Sequence, residues 1–190
     1  MAKNYIENEN FQGINFSQEK LNDGDYENCK FVNCLISSVD LSDINFIDCE
    51  FKNCDLSLAK INNTTFRETK FTGCKLLGLH FEDCNKFGLS VDFESCQLNL
   101  SSFYQLNLRN FKFKDCSLLE VDFADSNLTN LKFDNCDLSG ALFDNTILDK
   151  ADLRNAYNYS INPGNNKIDK AKFSMAGIRG LLDQYNIEIE

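Results

Sequence analysis

Nine cysteines and a single histidine are the side chains of this 190-residue chain best suited to chemistry. Thiolates ligate zinc or act as nucleophiles, and a neighbouring histidine can serve as their base. The spacing argues against both roles. Cys29, Cys34, Cys49, Cys54, Cys74 and Cys84 fall at multiples of five from one another. Cys96, Cys116 and Cys136 continue the series after a shift of two residues. No C-x-x-C pair is present, so zinc-type spacing is missing. Evenly spaced thiols read as small hydrophobes in a buried slot. If successive cysteines sit on rungs about 4.8 Å apart they are near enough to bridge, but an odd count without an export signal points to a reducing cytoplasm. His80 has no recognisable nucleophile partner, and neither a phosphate-binding glycine loop, H-E-x-x-H nor G-x-S-x-G occurs. The expectation is a protein without catalytic residues, cofactor or metal.

The elements that carry these residues follow a five-residue period. From Phe11 an apolar centre recurs at every fifth position through Phe81. The register then slips by two, and Phe93, Leu98, Phe103, Leu108, Phe113 and so on continue to Leu153. At the slip Lys86 occupies a centre, and Phe87 is expected to substitute for it. The position two before each centre is small or aliphatic, as in Cys34, Val39, Ala59, Thr64 and Ser101. Neither an amphipathic helix nor a flat strand has this period. Residues 20 apart also match: Phe11, Phe31, Phe51 and Phe71, then Phe93, Phe113 and Phe133, form one series of phenylalanines, and Cys34 to Cys136 another. A coil of 20 residues would stack each series into a column. Each coil can then bury its centres only against its neighbours.

Ala151-Asp152-Leu153-Arg154-Asn155 displays the A-(D/N)-L-x-x motif undiluted. Residues 9 to 155 therefore resemble the pentapeptide-repeat family. The resemblance implies an all-β, right-handed quadrilateral β-helix, here of about seven coils over residues 1–156, with residues 157–190 as a separate C-terminal segment.

After Leu153 the repeat ends, and Asn162-Pro163-Gly164 signals a turn. Lys170 to Phe173 reads as a short strand or a last partial coil. Ser174 is suited to cap a helix over Met175 to Gln184, whose apolar stripe is Met175, Ile178, Leu181, Leu182 and Tyr185. Asn186-Ile187-Glu188-Ile189-Glu190 alternates like an edge strand. This segment is expected to cover the last coil.

The formal net charge is -10. Residues 157–190 carry four acids and four bases, so the whole surplus lies on the repeat. Such a balance opposes nucleic-acid binding, which needs clustered cations, and favours a basic partner. Asp23, Asp43, Asp83 and Asp125 fall in one outward column, with Asp40 and Asp122 on the same side. Lys30, Lys70, Lys112 and Lys132 place positive charge on another face. The N-terminus has no apolar signal region, and no window is long and apolar enough to span a membrane.

About seven coils in one rod, a Phe-rich core and the C-terminal tail are similar to the Qnr and MfpA group. That resemblance implies a mimic of B-DNA that binds DNA gyrase and topoisomerase IV and protects them from fluoroquinolones. It also implies a homodimer joined through Met175, Ile178, Leu181, Leu182, Tyr185 and Ile187. Several Qnr proteins project two sizeable loops, whereas here only Asn85 to Ser90 interrupts the rod. On the residues alone, a repeat scaffold with an unrelated protein partner is the alternative.

Overall fold

Every fifth side chain turns inward, and the backbone winds around the stack that results. The computed structural model describes residues 4–188. Its strands are short: β1 (Asn4–Glu7), β2 (Asn10–Gln12), β3 (Gly24–Glu27), β4 (Lys30–Val32), β5 (Asn45–Ile47), β6 (Glu50–Lys52), β7 (Thr65–Arg67), β8 (Thr69–Thr72), β9 (Val91–Glu94), β10 (Phe111–Lys114) and β11 (Phe133–Asp134). All pairing is parallel. One sheet runs β1-β3-β5-β7 and the other β2-β4-β6-β8-β9-β10-β11, one strand per turn. Two further columns consist of single bridges, one from Asn15 through Leu35, Asp55, Lys75, Gln97, Ser117 and Asp137 to Tyr157. The result is a parallel β-solenoid of about seven turns.

The register is the one the period predicts. Phe11 pairs with Phe31, Phe31 with Phe51, Phe51 with Phe71, Phe71 with Phe93, Phe93 with Phe113 and Phe113 with Phe133. Their rings stack, with centroids 4.8 Å apart for Phe11–Phe31 and 4.6 Å for Phe31–Phe51. Neighbouring columns meet edge to face, as Phe103 and Phe113 do at 5.6 Å and 87°. Such pairs add about 0.5–1.5 kcal/mol beyond the apolar area they bury.

The slot two before the centre has a second role. Its side chain donates to a carbonyl of the preceding coil: Cys34 Sγ to Phe11 O at 3.4 Å, Thr64 Oγ1 to Leu41 O at 2.8 Å, Ser101 Oγ to Leu76 O at 2.7 Å. Cys, Thr and Ser therefore alternate there because each is small and carries a donor. All nine thiols are free and buried. Burial pushes the Cys49 thiol up to about 12.

Corners are made by two local devices. The Asp or Asn just before a centre accepts the N–H of the residue just after it, as Asp55 Oδ1 does from Ser57 at 3.0 Å and Asp122 Oδ1 from Ala124 at 2.8 Å. The residue two after the centre then takes a left-handed conformation, seen at Asn28, Asn33, Asp43 and Asn53 with φ between 52° and 62°. Asn and Asp tolerate this region best among residues with a Cβ.

Three expectations are corrected here. Phe87 does not enter the core: it is 82% exposed, and Leu89, 8% exposed, points inward instead. Asn85 N still bonds Thr64 O, 21 residues back, whereas β9 pairs with β8 at a spacing of 22. The two extra residues are accommodated in the turn between, which carries the Phe87 ring outward. Met175 to Gln184 does not form an α-helix. It makes two 3-10 turns, Ile178–Leu181 and Asp183–Tyr185. Gly177 and Gly180 weaken a helix by about 1 kcal/mol each, and both sit against Tyr159, where any Cβ would overlap it. Ile161 N donates to Gly180 O at 2.8 Å, and Leu181 packs on the core. Asn186 to Glu188 is not in a strand, and residues 189–190 of the expected edge strand lie outside the described residues. Lys172 bridges Asp152, so the segment before the tail is a last partial coil.

Candidate functional site

Asp23, Asp43 and Asp125 stand two after the centres Leu21, Leu41 and Phe123, at one corner of the solenoid. All three are exposed. Asn63 and Gln105 hold the equivalent position on intervening coils and Asn145 on the coil after Asp125, so Asp43, Asp83 and Asp125 stand two rungs apart, about 10 Å, while Asp23 and Asp43 are on adjacent rungs. Asn63 Nδ2 donates to Asp43 Oδ1 at 2.6 Å, and Asn145 Nδ2 donates to Asp125 Oδ1. The amides cross-link successive coils and separate like charges.

Asp83 shares this side but not the conformation. It closes the 3-10 turn Phe81–Asp83, and its carbonyl accepts the N–H of Asn63 at 2.8 Å. Lys20 lies 3.6 Å from Asp23. The column beside the corner contains Asp40 and Asp122. Asp40 bridges Lys60, while Asp122 bridges Ser102 and Leu142, so four rungs separate the two. Hydrogen bonds from Ser42, then the charge of Lys60, hold the Asp40 carboxyl below its ordinary value. The six acids thus occupy one side without forming one cluster. Tyr104 joins them: burial and the nearby Asp125 raise its hydroxyl pKa.

The lysine face is not a free positive surface. Along it Lys30 is 3.5 Å from Glu50, Lys112 is 2.7 Å from Asp92 and Lys132 is 2.9 Å from Asp134. Opposite charges alternate from Lys30 through Glu50, Lys70 and Asp92 to Lys112, and Lys132 pairs within its own rung. An open groove of about 290 Å³, lined by Arg109, Phe111, Lys112, Lys114, Lys132 and Asp134, lies on this face. His80 is exposed, with Nδ1 3.0 Å from Glu82 Oε1. Among the described residues no group of three or more His, Cys, Asp or Glu could hold a metal, and no helix is long and apolar enough to cross a membrane.

At the C-terminal end Met175, Ile178, Tyr185 and Ile187 are exposed at 85%, 41%, 61% and 55%. Leu181 and Leu182 are half-buried. The expected apolar stripe is therefore split: Leu181 packs on the solenoid, Leu182 is half-buried, and Met175, Ile178, Tyr185 and Ile187 face solvent.

Comparison with solved structures shows the same architecture. A trypsin-treated variant of QnrB1, a plasmid-mediated fluoroquinolone resistance protein, matches with a TM-score of 0.67 at 17% identity, over 100% of this chain and 92% of that one. HetL, a pentapeptide repeat protein involved in heterocyst differentiation regulation in the cyanobacterium Nostoc, matches with a TM-score of 0.70 at 18% identity, over 91% and 88%. At such identities the likeness is one of fold. A search of the curated proteins finds no match. The family model described as a pentapeptide repeat region matches residues 24–86 and 89–162, more than two thirds of the chain. The gap between its two segments is Phe87 and Gly88, the place where the structure absorbs its two extra residues. By this match, and by the five-residue period that builds every turn, the chain belongs to the pentapeptide-repeat family.

Proposed function

We propose that the solenoid is an acidic rod that stands in for B-DNA on type II topoisomerases, DNA gyrase and topoisomerase IV, and protects them from fluoroquinolones. The observation that carries this reading is the location of the charge: the entire surplus of ten negative charges lies on residues 1–156. Seven turns at about 4.8 Å give a rod roughly 34 Å long. That is about one net charge per 3.4 Å, half the density of duplex DNA. With the lysine face neutralised by its own carboxylates, the corner of Asp23, Asp43, Asp83 and Asp125, with Asp40 and Asp122, is the surface that would meet the basic DNA-binding saddle. The right-handed, four-sided winding of the family belongs to the same reading. So does a homodimer through Met175, Ile178, Tyr185 and Ile187, which would double the rod, with Leu181 and Leu182 supporting them. Nine buried free thiols favour a cytoplasmic protein.

HetL favours a second reading: a match of 0.70 to a regulator of differentiation supports a scaffold whose partner is unrelated to DNA. A supercoiling assay with purified gyrase, with and without ciprofloxacin, separates the two. Inhibition or protection at micromolar concentration supports the DNA mimic, and neither effect leaves the scaffold. Reversal of Asp23, Asp43, Asp83 and Asp125 to Lys should abolish the effect if this corner is the contact. A monomeric mass by light scattering at micromolar concentration would remove the dimer.

A further inference from the structure

Of the 17 phenylalanines only Phe87 is exposed. It leaves 82% of its surface in water, although burying a phenylalanine contributes about 1.5–3 kcal/mol. The turn that presents it is tied down. Asn85 Oδ1 accepts the Phe87 N–H at 3.1 Å, and Asn85 Nδ2 donates to Thr65 Oγ1 at 3.2 Å. On the far side Ser90 N donates to Phe66 O at 3.0 Å, and the Ser90 hydroxyl accepts the N–H of Glu68 at 2.8 Å. The ring is therefore held out by a short, anchored turn, the arrangement that lowers the ordering cost of a contact.

Its surroundings reverse the charge of the rod. Lys86 precedes it. Arg67 lies against Gly88, with its Cδ 3.3 Å from where a Cβ would stand. Arg109 follows the centre Leu108 as Arg67 follows Phe66, so it occupies the same corner two turns beyond Arg67 and one beyond the Phe87 turn. Among the described residues Arg67, Lys86 and Arg109 are in no ion pair, so their charges remain available to a partner. Glu68, next to Arg67 in the sequence, accepts a hydrogen bond from the Ser90 hydroxyl at 3.2 Å. An aromatic ring beside arginines also suits stacking on a nucleic-acid base, but the net charge of -10 around it repels phosphates. A pocket with an apolar floor and a carboxylate rim complements both the ring and the cations.

We propose that Phe87, with Arg67, Lys86 and Arg109, is a second docking point that inserts its ring into an acid-rimmed apolar pocket of the protein partner, outside the partner's basic DNA-binding surface. For the identity of that partner the proposal rests on the reading above. The test uses the full chain, purified gyrase and the supercoiling titration. Phe87→Ala should weaken inhibition at least tenfold, and Arg67→Glu with Arg109→Glu should weaken it similarly. The second variant is decisive in sign, because it makes the rod more acidic. If DNA mimicry were the whole interaction, it would tighten binding. Unchanged potency of Phe87→Ala, or tighter binding of the double variant, overturns the docking point and leaves the DNA mimic standing. An inert wild type overturns both. Retention of a single-stranded oligonucleotide that disappears with Phe87→Ala would assign the knob to nucleic acid and overturn the proposal. Phe87 and both arginines are exposed, so melting curves should match the wild type and exclude misfolding.

Discussion

Phe71 and Phe93 are 22 residues apart, yet their rings stack at 5.5 Å and 18°, as do the pairs that are 20 apart. The hydrogen bonds say the same: Cys96 Sγ reaches Phe71 O, 25 residues back, where Cys74 Sγ reaches Phe51 O over 23. The core keeps its geometry and the outside carries the difference. Stacking of inward rings therefore dictates register more strongly than chain length does.

If ring stacking sets stability, Phe31→Ala should be costly. Phe31 is fully buried and lies between Phe11 and Phe51 at 4.8 and 4.6 Å. The expected loss is about 3–5 kcal/mol, read as a lowered midpoint in urea unfolding. A loss below about 1 kcal/mol would mean that neighbouring coils close the gap.

The corner positions predict a gain. Leu100 has φ 62° and is 59% exposed, so it bears the left-handed penalty of about 1–2 kcal/mol without burial in return. Leu100→Gly should stabilise the protein by roughly 1 kcal/mol, and Leu100→Asn by less. A lower melting temperature for both variants would show that the leucine has a packing role.

The cysteines should behave as structural residues. With all nine buried and burial raising the pKa of Cys49 to about 12, the native protein should not react with an aromatic disulfide at pH 8 within minutes. Nine thiols should appear on denaturation. Cys54→Ser keeps a donor for Phe31 O, which Cys54 Sγ reaches at 3.3 Å, and should cost less than Cys54→Leu, which overpacks the slot by about 1–3 kcal/mol. Rapid labelling of the native state would contradict the buried slot.

Acid should weaken the last turns through Asp152. Arg154 holds it by two bonds, Nη2 to Oδ2 at 2.7 Å and Nε to Oδ1 at 2.9 Å, and these lower its pKa to about 2. Because the folded value lies below the ordinary 3.8, the stabilisation is complete above about pH 4 and disappears as pH falls through 2. Arg154 is largely exposed, so solvent screening keeps the contribution of the pair small. Arg154→Met should lower stability at pH 7 and flatten the decline between pH 4 and 2. Parallel pH curves for the two proteins would remove this assignment.

The centres, the columns and the buried thiols were legible in the sequence because each follows a single inward direction repeated every five residues. Phe87 defeats the same rule: by residue type it belongs inside, and the burial of Leu89 beside the 22-residue pairing of β8 with β9 shows which residue fills the place. The left-handed corners fall at Asn28, Asn33, Asn53 and Gly73, residue types that suit both that conformation and a solvated surface, so the period alone does not reveal them. The tail had helical spacing, yet contact of Gly177 and Gly180 with Tyr159 comes from tertiary structure that spacing does not carry. Of the candidate site, the exposure of Asp23, Asp40, Asp43, Asp83 and Asp125 was readable from the period, whereas Asp122 is half-buried. The amide links from Asn63 and Asn145, and the charge cancellation along Lys30, Glu50, Asp92 and Lys112, depend on which coil lies next.

The corner between Asn85 and Ser90 already absorbs surplus chain without disturbing the stacked rings inside it. An epitope tag or a grafted binding peptide placed there should leave the melting temperature close to that of the parent, since lengthening a surface loop adds only about 0.6 kcal/mol per doubling. The same insertion two coils earlier, at Asn45 to Glu50, would split two paired strands. The molecule therefore has one natural port for display, and engineers can use it without redesigning the rod.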